Sequence, residues 1–323
     1  MQGKEVRIVF MGTPDFAVAG LKALVNGGYN VVGVITAPDK PAGRGKKLNE
    51  SAVKKYAVEN NLTVLQPEKL KNPEFLKELK ALKADLQVVV AFRMLPEVVW
   101  NMPPLGTFNL HGSLLPQYRG AAPLNWAIIN GETKTGVTTF LLDEKIDTGK
   151  ILFKKEIYIW ENDTVGTIHD SLMEIGAKLV LETVDALASG DYEAIPQSEL
   201  IKDSEIKHAP KIFKEDCKIN WTNDVESVRN LIRGLSPYPT AWSVLVHKES
   251  GKEITTKLFF AIQVDGDSEE QPGTIKTDGK TFLKVACGNG WLQITDLQIA
   301  GKKRMKVQDF LRGFQQTGEY RFE

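Results

Sequence analysis

The chain has 323 residues and equal numbers of basic and acidic side chains, 41 of each, so any nucleic-acid contact must come from local patches, not net charge. Hydrophobic residues make up 42% and charged residues 25%, the balance of a soluble globular protein and not of a disordered one. No apolar run approaches the roughly 20 residues that span a bilayer, and no secretory leader precedes the first apolar strand. A cytoplasmic protein with no membrane partner is expected.

The first half alternates strand and helix signals. Val6–Met11 reads as a buried strand, Gly12-Thr13-Pro14 as a turn, and Asp15 as the N-cap of a helix over 16–26. Gly27-Gly28 ends that helix and Val31–Thr36 opens the next strand. Helices near 50–60 and 73–82 precede the runs Leu62–Leu65 and Asp85–Ala91, and Leu105–Leu110 and Gly136–Leu142 follow as further strands. Continuous Val/Ile/Leu strands separated by helices predict a mostly parallel sheet covered on both faces. A long amphipathic helix is expected from the Asp163-Thr164 cap to Gly190. Residues 191–213, with Pro196 and Pro210, read as a linker. Beyond it comes one helix over about 222–235, then short β-type runs near 242–247, 256–264, 281–286 and 291–299, the pattern of a small barrel or sandwich. Cys217 and Cys287 lie far apart with no ligand pattern and are expected to be free thiols. The histidines at 111, 169, 208 and 247 have no zinc spacing, so no metal is expected.

The chemistry-bearing cluster is Asn109-Leu110-His111 with Asp147 in Ile146-Asp147-Thr148-Gly149. Asn109 and His111 are two apart, so in a strand they share a face. At a strand's carboxyl end they stand where open α/β sheets bind ligands. An amide or imidazolium can donate to an oxyanion, an imidazole can carry a proton near neutral pH, and a carboxylate can orient that imidazole. Those services suffice for acyl transfer to an amine without a metal or a covalent enzyme intermediate. From spacing alone, a hydrogen-bonded core histidine beside a structural amide explains the same residues equally well.

Ser113–Pro123 follows the strand as a loop with exposed backbone, which either walls a pocket for a flat ligand or simply joins strand to helix. Gly12-Thr13-Pro14-Asp15 has no GxGxxG pattern and Pro14 has no N–H, so a dinucleotide site is not expected. Asp39–Leu48 holds Lys40, Arg44, Lys46 and Lys47 spaced by Gly and Pro, a cationic loop able to meet phosphates. Lys302, Lys303, Arg304 and Lys306 form a second basic cluster near the end of the sequence.

Asn109-x-His111, the Ser113–Gly120 stretch and Asp147-Thr148-Gly149 together resemble the folate-dependent formyltransferases. Met11–Ala17 and Pro38–Leu48 narrow the resemblance to the branch acting on methionyl-tRNA, and Ile219-Asn220-Trp221 with Pro237–Trp242 extend it more loosely toward the C-terminus. The resemblance implies transfer of a formyl group from 10-formyltetrahydrofolate to the α-amino group of methionyl initiator tRNA, for translation initiation. It implies a Rossmann-like catalytic domain over 1–190, the linker 191–213, and an OB-like β-barrel domain over 214–323 that binds tRNA. Asn109, His111 and Asp147 would be catalytic. Ser113, Leu114, Leu115 and Pro116 would contact folate, with Arg93 and Met94 in the segment that lines the pterin pocket of related enzymes. Arg44, Lys46 and Lys47 fall in the tRNA-binding loop, and Lys302, Lys303 and Arg304 would support the rest of the tRNA. No metal and no obligate protein partner are implied. Two departures stand out. Ala91–Pro96 replaces a segment that is more often one residue longer with Gly after an aromatic, and Gln117-Tyr118 replaces a pair that is often Arg-Trp. A formyltransferase for an amino sugar or a glycinamide nucleotide, and a non-catalytic RNA-binding protein, are the two rival readings.

Overall fold

A computed structural model of the chain describes residues 2–42, 47–201 and 205–323. In the first part of the chain the elements run β1 (Ile8–Gly12), α1 (Asp15–Asn26), β2 (Val31–Ile35), β3 (Lys40–Ala42), β4 (Lys47–Asn49), α2 (Ala52–Glu59), β5 (Val64–Leu65), α3 (Pro73–Ala81), β6 (Leu86–Val90), α4 (Glu97–Trp100) and β7 (Thr107–His111). They continue through β8 (Arg119–Gly120), α5 (Pro123–Ile129), β9 (Lys134–Leu141), β10 (Ile151–Tyr158) and α6 (Val165–Ser189). The chain divides into two compact units. The first comprises Met1–Gly120, Thr135–Ile157 and His169–His208, and the second Ala121–Lys134, Tyr158–Ile168 and Ala209–Glu323.

The first unit is built on a seven-stranded sheet in the order β10-β9-β7-β6-β1-β2-β5. β7, β6, β1, β2 and β5 are parallel, and β9 runs antiparallel to β7. Both faces of β1 are covered, which explains why its sequence is apolar throughout instead of alternating. Val9 and Met11 pack with Phe75, Leu79 and Val99 from α3 and α4. On the opposite face, Phe10 lies under Gly20 of α1, beside Val180 of α6. Gly176 lets α6 approach β7, since a Cβ there would stand 2.8 Å from Leu110 Cδ2.

Local chemistry sets the helix starts. Ser51 accepts from the Lys54 amide to cap α2, and Asn72 accepts from the Glu74 amide ahead of Pro73 to cap α3. Asp15 corrects one expectation. It stands inside the first turn of α1, with Pro14 at the cap, so its carboxylate faces the helix dipole and does not cap it with a side-chain bond. The stretch 40–49 also differs from a plain loop, because Lys40, Pro41 and Ala42 pair antiparallel with Asn49, Leu48 and Lys47. Within 191–208, Ile195 bridges Ile151 of edge strand β10, and Gln197 is buried.

After β11 (His208–Ala209), the chain forms α7 (Val225–Leu235), β12 (Ala241–His247), β13 (Glu253–Val264), β14 (Ile275–Thr277), β15 (Leu283–Cys287) and β16 (Gly290–Ile299). It closes with β17 (Met305–Lys306), α8 (Val307–Gly313) and β18 (Tyr320–Phe322). The sheet order is β14-β15-β16-β13-β12-β18 and its pairs are antiparallel. Thr274 bridges Arg321, and the Phe322 amide donates to Gly273 O at 2.9 Å, so the last strand returns to the first and the sheet is a nearly closed barrel. Its core is filled by Trp221, Ile232, Leu245, Leu258, Leu292 and Phe310 among others. Cys217 and Cys287 are separate buried thiols of this unit, and burial pushes the Cys287 thiol up to about 12. No described helix is long and apolar enough to cross a membrane.

Candidate functional site

β7 ends at His111, beside the point where the strand order reverses between β1 and β6. That places its last residues at the carboxyl edge where open α/β sheets receive ligands. Asn109 lies between Val89 of β6 and Phe140 of β9, and His111 is opposite Thr138. Asn109 Oδ1 is buried without a hydrogen-bond partner among the described residues. That oxygen is an unused acceptor, left unpaired at a cost of about 1–3 kcal/mol, whereas donation from this amide can come only from Nδ2–H.

His111 is buried, with its ring edge-on to Phe140 at 6.5 Å. Its Nε2 lies 2.9 Å from Tyr118 O. A carbonyl only accepts, so Nε2 carries the proton in the neutral ring and Nδ1 is the lone-pair nitrogen. Nδ1 faces Asp147 Oδ2 at 3.9 Å, an ion-pair distance and too long for a hydrogen bond. Asp147 has φ +56° and its Oδ2 accepts from the Gly120 amide at 3.0 Å.

The loop after β7 is pinned from within. Ser113 is fully buried and its hydroxyl donates to Gln117 O at 2.7 Å. Thr138 Oγ1 donates to Ser113 O at 2.6 Å and accepts from the Leu115 amide at 3.2 Å. Leu115 and Pro116 are buried, Leu115 packing with Phe140 and Ile151, and Leu114 is half-buried. Thr138 escapes a reading of the sequence because a threonine in a β-run signals only strand propensity. Thr138→Val should remove both bonds while preserving shape, leaving the Ser113 carbonyl and Leu115 amide unpaired at about 1–3 kcal/mol each. Chemical denaturation with unchanged m-value checks this, and a variant as stable as the parent would refute the pin.

The other expected residues are more dispersed. Arg93 donates from Nη1 to Glu68 O at 2.8 Å and from Nη2 to Pro67 O, so its guanidinium fastens the 67–68 turn. Met94 is 74% exposed. Arg44 and Lys46 lie outside the described residues, and Lys47 begins β4. At the base of this hairpin, Asp39 accepts from Lys54 Nζ and from Gln66 Nε2, bonds that hold its carboxyl below the ordinary carboxylate range. In the second unit Lys302 and Lys303 are exposed. Arg304 reaches Asp296 Oδ1 at 3.3 Å and lies 4.5 Å from the centre of the Phe259 ring.

Residues 6–184 match the model of the formyl transferase family, and residues 211–315 match that of the formyl transferase C-terminal domain. The methionyl-tRNA formyltransferase of Parabacteroides distasonis is 59% identical over 322 residues, covering 99% of both chains. The chain belongs to the methionyl-tRNA formyltransferase family. A second relative, the methionyl-tRNA formyltransferase of Bacteroides fragilis, is 56% identical over 323 residues, covering 100% of this chain and 99% of its own. Among solved structures, HypX from Aquifex aeolicus in complex with tetrahydrofolic acid matches with a TM-score of 0.62 at 20% identity, over 95% of this chain and 47% of that one. An N-formyltransferase from Helicobacter canadensis, in complex with folinic acid and dTDP-3-aminofucose, matches at 0.65 and 18%, over 93% and 100%. These two likenesses concern the fold alone. In this family member the strand, loop and turn described above converge on His111.

Proposed function

We propose that this chain transfers the formyl group of 10-formyltetrahydrofolate to the α-amino group of methionyl initiator tRNA. The observation that carries the reading is His111 Nδ1 facing Asp147 Oδ2 at 3.9 Å, with Asn109 two residues before His111 on β7, in a chain with near-full-length similarity to methionyl-tRNA formyltransferases. The folate would supply the formyl carbon as the electrophile. His111 Nδ1 is the ring atom open to proton exchange, because Nε2–H is committed to Tyr118 O. Taking the proton of the attacking amine charges the ring, whose Nδ1 lies opposite the Asp147 carboxylate at 3.9 Å. Asn109 and the charged imidazole would donate to the formyl oxygen as negative charge develops on it. His111 can then return the proton to the departing nitrogen, which completes transfer without a formyl-enzyme.

The residues suit a flat heterocyclic donor in part through backbone. Leu114 and Met94 offer apolar side-chain surface, whereas Ser113, Leu115 and Pro116 would act by fixing the loop's carbonyls and amides. Arg93 would act by holding the 67–68 turn. For the acceptor, Lys302 and Lys303 are exposed cations, and Arg44, Lys46 and Lys47 belong to the 39–48 segment. Purified protein with 10-formyltetrahydrofolate should formylate methionyl initiator tRNA and leave free methionine unmodified. Arg44→Ala should raise KM for the charged tRNA while retaining saturable folate binding in calorimetry, with affinity for tRNA that falls steeply with salt. Folate binding without product on the tRNA would overturn the acceptor, and no folate binding would overturn the whole reading.

A further inference from the structure

Gln197 sits in a single turn after Pro196, within a stretch whose sequence looks like a polar connection, yet it is only 3% exposed. A buried primary amide must find partners for two N–H groups and two lone pairs. Gln197 finds all four. Nε2 donates to Asp147 O at 2.9 Å and to Gly149 O at 2.8 Å. Oε1 accepts from Arg119 Nη2 at 2.7 Å and from Arg119 Nε at 3.1 Å.

Those partners lie on the two segments that fix the His111 environment. Arg119 is flanked by Tyr118, whose carbonyl accepts from His111 Nε2–H, and by Gly120, whose amide donates to Asp147 Oδ2. On the other side, Asp147 is in the left-handed region at φ +56°, a strained backbone for a residue with a side chain. Its carbonyl and the Gly149 carbonyl are gathered by one NH2 group. One amide therefore sets both the height of the 118–120 strand and the curl of the 147–149 turn. At 3.9 Å between His111 Nδ1 and Asp147 Oδ2, a shift of about an ångström separates contact from no contact, which is the scale on which turnover can change about 100-fold.

We infer that Gln197 is a positioning residue for formyl transfer, holding Asp147 in register with His111 through Arg119 and the 147–149 turn. The inference rests on the proposed reaction and names a residue outside the motif cluster. The isosteric Gln197→Glu should be worse than a change that merely removes a bond. The new carboxylate still accepts from Arg119, as a stronger ion pair, but sets an acceptor against two carbonyls and pushes the turn away.

The test is steady-state formylation of methionyl initiator tRNA by the parent chain, Gln197→Glu, Asp147→Asn and the double variant, with melting temperatures alongside. Gln197→Glu should lower kcat by about 10- to 100-fold, with KM for folate and for tRNA within about threefold of the parent. In the Asp147→Asn background the same change should cost little further, because both act through one carboxylate. Full additivity, or a loss confined to KM, would overturn the role. If Gln197→Glu does not fold, Arg119→Lys, which shortens the fork on Gln197 Oε1, should give the same split at smaller size, and unchanged kcat there would also overturn it. A parent chain without formylating activity would instead overturn the reaction itself, and this role with it.

Discussion

Replacing His111 with alanine is expected to lower kcat for formyl transfer by about 10²- to 10³-fold, with far smaller changes in either KM. The size follows from what the ring would supply at one place. Nδ1, facing Asp147, would be the atom that accepts and returns the proton, and the charged ring would be one of the two donors to the developing oxyanion. Packing against Phe140 and the bond to Tyr118 O serve to hold it there. Alanine also removes the bond to the Tyr118 carbonyl, which still accepts from Ser113 Oγ at 3.5 Å, so a loss of stability of about 0.5–1.5 kcal/mol should accompany the change. His111→Asn separates the two effects, since a carboxamide can still donate near that carbonyl but cannot accept and return a proton at neutral pH. It should recover part of the melting temperature and none of the rate. Single-turnover formylation at saturating folate is the measurement, and a His111→Ala enzyme within about tenfold of the parent kcat would remove His111 from the chemistry.

Gly149→Ala should damage stability and turnover together. A Cβ at Gly149 would stand 1.6 Å from Leu141 O and 2.9 Å from Leu141 C, backbone atoms of β9 that cannot swing aside as a side chain would. The 147–149 turn must therefore move, which carries Asp147 away from His111 and breaks the pair of bonds to Gln197. A loss of about 3 kcal/mol is expected from overpacking of this kind. Enzyme that remains folded at low temperature should still show depressed kcat. Gly313→Ala is the control, as nothing lies within 4 Å of a Cβ there. Parent-like melting and parent-like kcat for Gly149→Ala would mean that the turn is not what places Asp147.

The strands that carry the site were legible because burial on both faces leaves an unambiguous chemical trace. β1, β2 and β6 are dominated by Val, Ile, Leu and Phe, and β7 sets Phe108 and Leu110 between polar residues. Strand β10 was not legible. Ile151–Tyr158 lies at the sheet edge with Lys154, Lys155 and Glu156 all exposed, so neither continuous apolarity nor clean alternation marks it. β14 and β18 are three residues each, and pairings around Gly273, far apart in sequence, decide that they are strands. α8 was hidden behind the basic cluster, because its short apolar pattern becomes visible only once Phe310 and Leu311 are seen in the barrel core.

The site divides along the same line. Asn109 and His111 stand on one face because side chains alternate along a strand, and Gly112 marks where that strand ends. This much is local geometry, written in five consecutive residues. The approach of Asp147 to His111 is not local. It depends on the Gly120 amide, on the positive φ of Asp147, and on an amide at position 197 whose neighbours in sequence say nothing of burial. Strand periodicity is a property of short-range sterics and can be read from the chain. Which carbonyl a buried amide must satisfy depends on the packed arrangement of distant segments, and only the tertiary structure decides it.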